Sequence, residues 1–163
     1  MWNDLKLRCD RLPAEIWICP APQRSIASFR QIGGSATEAG GILLGYRRGQ
    51  HLEVLEATVP QAKDIRKRAR FYRSDTGHQT IATDRWRQSD GYIHYLGEWH
   101  THPESEPTPS SFDRREWIKL SRRQPHPLLF IIVGTTHWYV EFKGESWLPT
   151  IPTSIRGGVL SPT

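Results

Sequence analysis

Two histidines stand one residue apart at His100 and His102, and Ser110 and Asp113 follow them. On a strand, alternation turns both imidazoles to one face and Thr101 to the other. Two imidazoles so placed can share a divalent ion at Zn–N distances of about 2.0–2.1 Å. Pro103 ends the strand, and the Pro- and Ser-rich stretch that follows reads as a loop. Asp113 falls in the first turn of the next predicted helix, where its carboxylate could add a third ligand. Three protein ligands and one open position make a hydrolytic zinc site, because the fourth place holds water whose pKa drops to about 7.

Hydrolysis of an amide also needs a base that takes the water's proton and returns it to the leaving amine. Glu38 is the best candidate outside the loop. It stands two residues before the Gly40-Gly41 pair, where backbone can approach closely, and the following strand is apolar. Glu98 shares the face of His100 by alternation and competes as base or as a partner of the ligands. Ser110 could donate to the oxyanion that develops on the attacked carbonyl. Ser110-x-x-Asp113 also reads as a capping box, which accounts for both residues without a metal but leaves the two histidines unexplained. His51, His78, His94, His126 and His137 have no spaced partners and read as surface or core residues, while Glu104 and Glu106 are expected in solvent.

These residues need elements to position them. Residues 15–20 read as a short strand stopped by Pro20, with Cys19 buried in it. Ile26, Phe29 and Ile32 have helical spacing and predict a helix over 22–34 that stops at Gly33-Gly34. Residues 40–48 and 51–59 read as two strands joined by a tight turn near Gly49. Residues 60–75, polar and arginine-rich, read as an exposed loop, and 76–91 as a helix ending at Gly91. Residues 92–102 form the strand of the two histidines. Residues 110–123 form a helix with Trp117 and Leu120 inward. The wholly apolar run 128–134 predicts a central strand buried on both faces, with 137–142 beside it. Three prolines and a Gly-Gly pair near the end predict an extended tail over 144–163, after a single domain over 1–143. Strands alternating with helices imply an α/β (α+β) architecture with a mixed sheet.

The bulk properties allow one domain and one core: 163 residues, 37% hydrophobic and 24% charged. No apolar run approaches the roughly 20 residues that span a bilayer. The N-terminal stretch carries acids and no apolar core, so no signal peptide is expected and the cytosol is the expected compartment. The two cysteines, Cys9 and Cys19, form no C-x-x-C, which excludes a zinc ribbon or a thioredoxin-type motif and leaves reduced, packed thiols.

His100-x-His102, Ser110 and Asp113, with Glu38 upstream of a Gly-rich strand, together resemble the JAMM motif of the JAB/MPN-domain metalloproteases. The resemblance covers residues 14 to 143 in element order as well as motif. It implies a mixed sheet flanked by helices, related to the cytidine deaminases; the H-x-E and P-C-x-x-C of a deaminase are themselves absent. It also implies hydrolysis of an amide or isopeptide bond at the C-terminus of ubiquitin or a ubiquitin-like partner. By the same resemblance His100, His102 and Asp113 hold one catalytic Zn²⁺, Glu38 is the general base and Ser110 stabilises the oxyanion. Residues 38–49, 57–75 and 97–113 look like the short bacterial JAB proteins of integrative-element and anti-phage (CBASS) operons, encoded beside fused E1/E2-like ligases. There the ligase attaches the C-terminus of a cyclic-oligonucleotide synthase, a nucleotidyltransferase, to target proteins, and the JAB protein cuts the linkage. A peptidase that trims a ubiquitin-like precursor would use the same site, and a non-catalytic docking module would use only the fold.

Lys63, Arg66, Lys67, Arg68, Arg70 and Arg73 crowd one segment. A solvated charged loop explains such a run. A clamp for an extended C-terminal peptide explains it equally: the peptide adds as a strand, Arg66, Arg68 and Arg70 grip acidic groups behind it, and Phe71 covers an apolar residue of the tail. Tryptophans and tyrosines are not interleaved with the basic run, which argues against a nucleic-acid partner.

Overall fold

The computed structural model describes residues 2–11, 13–151, 153–155 and 159–161. In chain order the elements are β1 (Leu5–Arg8), β2 (Glu15–Ile18), α1 (Pro20–Ala27), β3 (Gly40–Arg48), β4 (His51–Ala57), β5 (Ile65–Lys67), β6 (Arg70–Tyr72) and α2 (Gly77–Gln88). They continue with β7 (His94–Thr101), α3 (Ser111–Arg122), β8 (Leu129–Val133), β9 (Trp138–Phe142), β10 (Glu145–Trp147), β11 (Thr153–Ile155) and β12 (Val159–Ser161). Eight strands form one sheet in the order β1-β2-β4-β3-β7-β8-β9-β10. β2 runs parallel to β4 and β7 parallel to β8, and the other neighbours are antiparallel, so the sheet is mixed as expected.

β8 is the centre of this arrangement. All five of its residues are buried, and they serve two cores in alternation. Leu129, Ile131 and Val133 join Ile16, Ile18, Leu43, Val54, Trp99 and Val140 on the face where Ile26 and Ala27 of α1 pack. Phe130 and Ile132 join Trp117 on the other face, under α3. Beside β8, the pairing of β7 with β3 shifts register between Leu43 and Leu44. The extra residue lets Leu96 and Trp99, three apart, enter the same core. Gly97 sits at this shift with φ of 157°, and a Cβ there would fall 1.7 Å from the Leu129 carbonyl oxygen. Past the shift, Trp99 and Thr101 point into the larger core and His100 points to the α3 face, where its ring lies 6.4 Å from that of Trp117.

Several boundaries differ from those expected. α1 begins at Pro20, with Cys19 as its N-cap rather than as a buried strand residue, and Pro20 fits the first helical position because its missing N–H is an orphan there. It ends at Ala27, where the amides of Ser28 and Phe29 close on the carbonyls of Arg24 and Ile26. Phe29 still packs against the core, but Ile32 is 67% exposed. Residues 60–75 are mostly exposed, as expected, yet the Asp64 side chain is buried and the segment contains the β5–β6 hairpin. The extended tail does not begin at 144. Lys143 and Gly144, with φ of 52° and 81°, turn the chain back, and β10 pairs with β9. The Trp138 amide donates to the Pro149 carbonyl and Ile151 is buried. β11 and β12 pair with each other, and the remainder of the expected tail lies outside the described residues. Among the described residues no helix is long and apolar enough to cross a membrane.

Candidate metal centre

His100 is the last-but-one residue of β7, and His102 follows it by one step. The chain is held extended there because the His102 amide donates to the Val133 carbonyl and Thr101 pairs with Ala39 in both directions. The Ala39 amide donates to the Thr101 hydroxyl at 2.9 Å, and that hydroxyl donates to the side-chain oxygen of buried Gln31 at 3.1 Å. Gln31 in turn donates to the carbonyls of Ala36 and Arg68. Thr101, on the face opposite the histidines, therefore ties the histidine strand to the segment that carries Glu38.

Asp113 reaches the same point from α3. The capping box foreseen in the sequence is present: the Ser110 amide and hydroxyl donate to Asp113 Oδ2 at 2.7 and 2.6 Å, and the Asp113 amide donates to Ser110 Oγ at 3.1 Å. The other carboxylate oxygen of Asp113, Oδ1, remains to face His100. His100 Nε2 lies 3.0 Å from His102 Nε2 and 3.3 Å from Asp113 Oδ1, and His102 Nε2 lies 3.4 Å from Asp113 Oδ2. Four ligands about 2.05 Å from a tetrahedral ion stand about 3.3 Å apart; the His100–His102 and His100–Oδ1 separations are close to this, while His102 approaches the capped oxygen Oδ2. All three side chains are at most 12% exposed, and the three donor atoms lie within 4.8 Å of one another.

Glu38 Oε1 lies 4.0 Å from His102 Nε2. Its main chain is held by the hairpin: the Glu38 amide donates to the Lys67 carbonyl at 2.8 Å, and Arg66 Nε donates to the Glu38 carbonyl at 2.8 Å. Burial pushes the Glu38 carboxyl up to about 7. His102 opposes that rise, and Asp113 and Glu104 add to it. Such a carboxyl can both take and return a proton near neutrality. Burial also works against ionisation of Asp113, but hydrogen bonds from His100, His102 and Ser110 hold its carboxyl far below the usual range. For His102 burial opposes the charge, and Asp113, Glu38 and Glu104 outweigh it and raise the value.

A cleft of about 760 Å³ opens over these groups, lined among others by Glu38, Phe71, Arg73, His100, Phe112 and Trp117. The arginine segment divides. Arg70 lines the cleft, with its guanidinium 4.5 Å from the Phe112 ring centre and donating to the Tyr72 hydroxyl at 2.9 Å. Phe71 lines it too, packed where a Cβ on Gly40 would fall 2.5 Å from its ring. Arg66 instead holds the Glu38 and Thr37 carbonyls, and Arg68 sits in the exposed turn between β5 and β6. Glu98 is engaged by Arg73 at 2.6 Å and by the Tyr95 hydroxyl at 3.2 Å, whereas Glu38 Oε1 faces His102 Nε2. Sequence reasoning placed Glu104 in solvent; its side chain is 57% exposed, but Oε2 lies 3.4 Å from His102 Nδ1. It also missed the Thr101–Gln31 link, although a polar residue alternating with the histidines had to face the core.

A model described as prokaryotic homologs of the JAB domain matches residues 30–148, a span that contains all five residues. The chain belongs to this prokaryotic JAB family. A Pseudomonas aeruginosa protein named "CD-NTase/cGAS isopeptidase" is 46% identical to it over 143 residues, 85% of each chain. Proteins of the same name from Escherichia coli and Vibrio cholerae are 43% and 40% identical. The matches cover 66% of this chain and 68% of the E. coli protein, and 69% and 72% for V. cholerae. The JAB match begins after α1 and ends beyond β10, so it spans the histidine strand, the capped helix and the hairpin together.

Proposed function

We propose that the protein is a zinc-dependent isopeptidase that cuts the amide bond between the C-terminus of a conjugated protein and its target. The observation that carries this reading is the convergence of His100, His102 and Asp113, with donor atoms within 4.8 Å of one another and the Glu38 carboxyl beside them. The names of the relatives support a nucleotidyltransferase as the conjugated protein, and the E1/E2-like ligase that the motif resemblance implies would be the enzyme whose product is reversed.

On this reading the tail lies extended along the cleft with its last carbonyl over the three ligands. Bound zinc supplies a Lewis acid and makes a water acidic enough to give up a proton near neutral pH. Glu38 takes that proton and hands it to the departing lysine amine. The Ser110 hydroxyl turns from Asp113 to donate to the oxyanion. The histidines and Asp113 stay unprotonated as ligands, and the Ser110 cap fixes the carboxylate. Arg70 and Phe71 grip the tail from above, Arg66 props the base, and among the described residues β5 and β6 form a separate two-stranded sheet, so an added strand has an edge to join.

The test is release of a lysine-containing target from a tail-linked nucleotidyltransferase. The wild type should release it, and Glu38→Gln should keep its zinc and release none. Cleavage by that variant would remove Glu38 from the mechanism. A zinc-loaded wild type that cuts no tail, linear or branched, would favour a docking module.

A further inference from the structure

The hairpin over the cleft is rooted in the core by groups that the chemistry does not use. Asp64 and His78 have 0% side-chain exposure, and Thr58 is 3% exposed. His78 Nε2 lies 2.7 Å from Asp64 Oδ2, and His78 Nδ1 lies 2.7 Å from Thr58 Oγ1. Thr58 Oγ1 also accepts from the Ile42 amide of β3 at 2.9 Å, and because the Asp64 carboxylate can only accept, a neutral His78 ring carries its proton on Nε2 and takes the Thr58 hydroxyl proton at Nδ1. That makes Asp64 the acceptor at the end of the chain.

Asp64 also gathers both ends of the arm. Its carboxylate accepts from the Gln61 amide at 2.7 Å before β5, and from the Ser74 and Asp75 amides at 3.0 Å after β6. Asp75 returns the clasp by accepting from the Lys63 amide at 2.7 Å. At the other end, the Thr58 carbonyl accepts from Trp99 Nε1 at 2.9 Å, next to the first histidine. A simple core packing role needs no such line of polar groups, each with its partner. Here the line runs from the root of the arm through α2 to β3 and β7, the strands beneath the site.

We propose that Asp64, His78 and Thr58 are positioning residues, a buried strut that sets the β5–β6 arm over the cleft and thereby the affinity for the extended end of a protein substrate. The part that concerns substrate rests on the isopeptidase reading; the part that concerns the arm does not. The test uses the full zinc-loaded chain with Asp64→Asn. The new amide points a donor at the Gln61 amide and the His78 ring proton, so both bonds to Oδ2 are lost. Amide exchange over residues 65–73 should therefore quicken by about tenfold, with β8 unchanged. KM for a protein fusion should rise about tenfold while kcat, zinc content and turnover of a short peptide stay within about twofold. Thr58→Val, which spares the Asp64–His78 pair, should move the same readouts in the same direction by less, and it decides the question if Asp64→Asn does not fold. Unchanged exchange in the arm overturns the strut, as does loss of both substrates in parallel. A wild type that cuts nothing overturns the isopeptidase reading, and exchange alone then decides the strut.

Discussion

Ser110→Ala separates the two jobs of one hydroxyl, the cap that the structure shows and the oxyanion contact proposed for it. The variant loses the bond from the Asp113 amide to Oγ at 3.1 Å and the bond from Oγ to Asp113 Oδ2 at 2.6 Å. It keeps the bond from its own amide to the same carboxylate at 2.7 Å. Half of the capping box survives, so the cost sits near the ordinary value for an N-cap, about 1 kcal/mol. For a chain of this size that lowers Tm by roughly 2–4 °C. A fold stable by about 5–15 kcal/mol stays almost wholly folded at 25 °C after such a loss, so unfolding cannot account for lost turnover. Removal of an oxyanion donor costs about 10²–10³ in kcat. Differential scanning calorimetry, zinc content and steady-state cleavage of a tail fusion, measured on one preparation, separate the effects. The expected result is a small drop in Tm, zinc retained, and kcat down at least about a hundredfold. The same drop in Tm with kcat within about threefold would refute the oxyanion role and leave Ser110 as a cap. Loss of zinc along with kcat would show that it acts by fixing Asp113.

Three further outcomes follow from the geometry. Arg66→Ala should lower kcat on short and long substrates alike, because its guanidinium props the Glu38 carbonyl, whereas Arg70→Glu should raise KM for the protein substrate alone; steady-state kinetics on both substrates would expose the reverse pattern. Gly40→Ala places a Cβ 2.5 Å from the Phe71 ring and 2.7 Å from the Trp99 carbonyl oxygen, and the backbone cannot give way. It should destabilise the chain by about 1–3 kcal/mol in urea, and a neutral result would mean that the hairpin does not press on β3 as described. Burial pushes the Asp64 carboxyl up, but the Gln61 and Asp75 amides and His78 hold it below its ordinary value. Its folded pKa lies under the unfolded value of about 3.9, so its contribution is present above that pH and lost as pH falls through the folded value. Stability of Asp64→Asn should thus fall less steeply than wild type below about pH 4, and parallel urea midpoints across that range would contradict the assignment.

The sequence exposed the central parts of the fold because their patterns admit one reading. An all-apolar run such as residues 128–133 fits a strand buried on both faces, and His-x-His on the next strand puts two ligands on one side. Ser110-x-x-Asp113 was legible as a cap and as an oxyanion donor beside a metal ligand; the structure shows the cap and sets Asp113 Oδ1 against His100 and the capped Oδ2 against His102. The edges were less legible. β1 and β10 are three or four residues long, too short for alternation to stand out. β5 and β6 carry arginine and lysine on both faces, so they read as loop, and only the clasp of Asp64 and Asp75 closes them into a hairpin. Arg66 was grouped with the other arginines because charge alone does not say that a guanidinium will turn inward to two carbonyls. Glu104 was assigned to solvent because its approach to His102 depends on a loop path that no periodicity encodes.

The central claim is met most directly by elemental analysis of the purified wild type and of the His100→Ala, His102→Ala double variant, alongside cleavage of the same tail fusion. The account predicts one zinc per wild-type chain, with metal and cleavage lost together in the double variant. A double variant that still cuts the fusion, or a fully active wild type without metal, would contradict it.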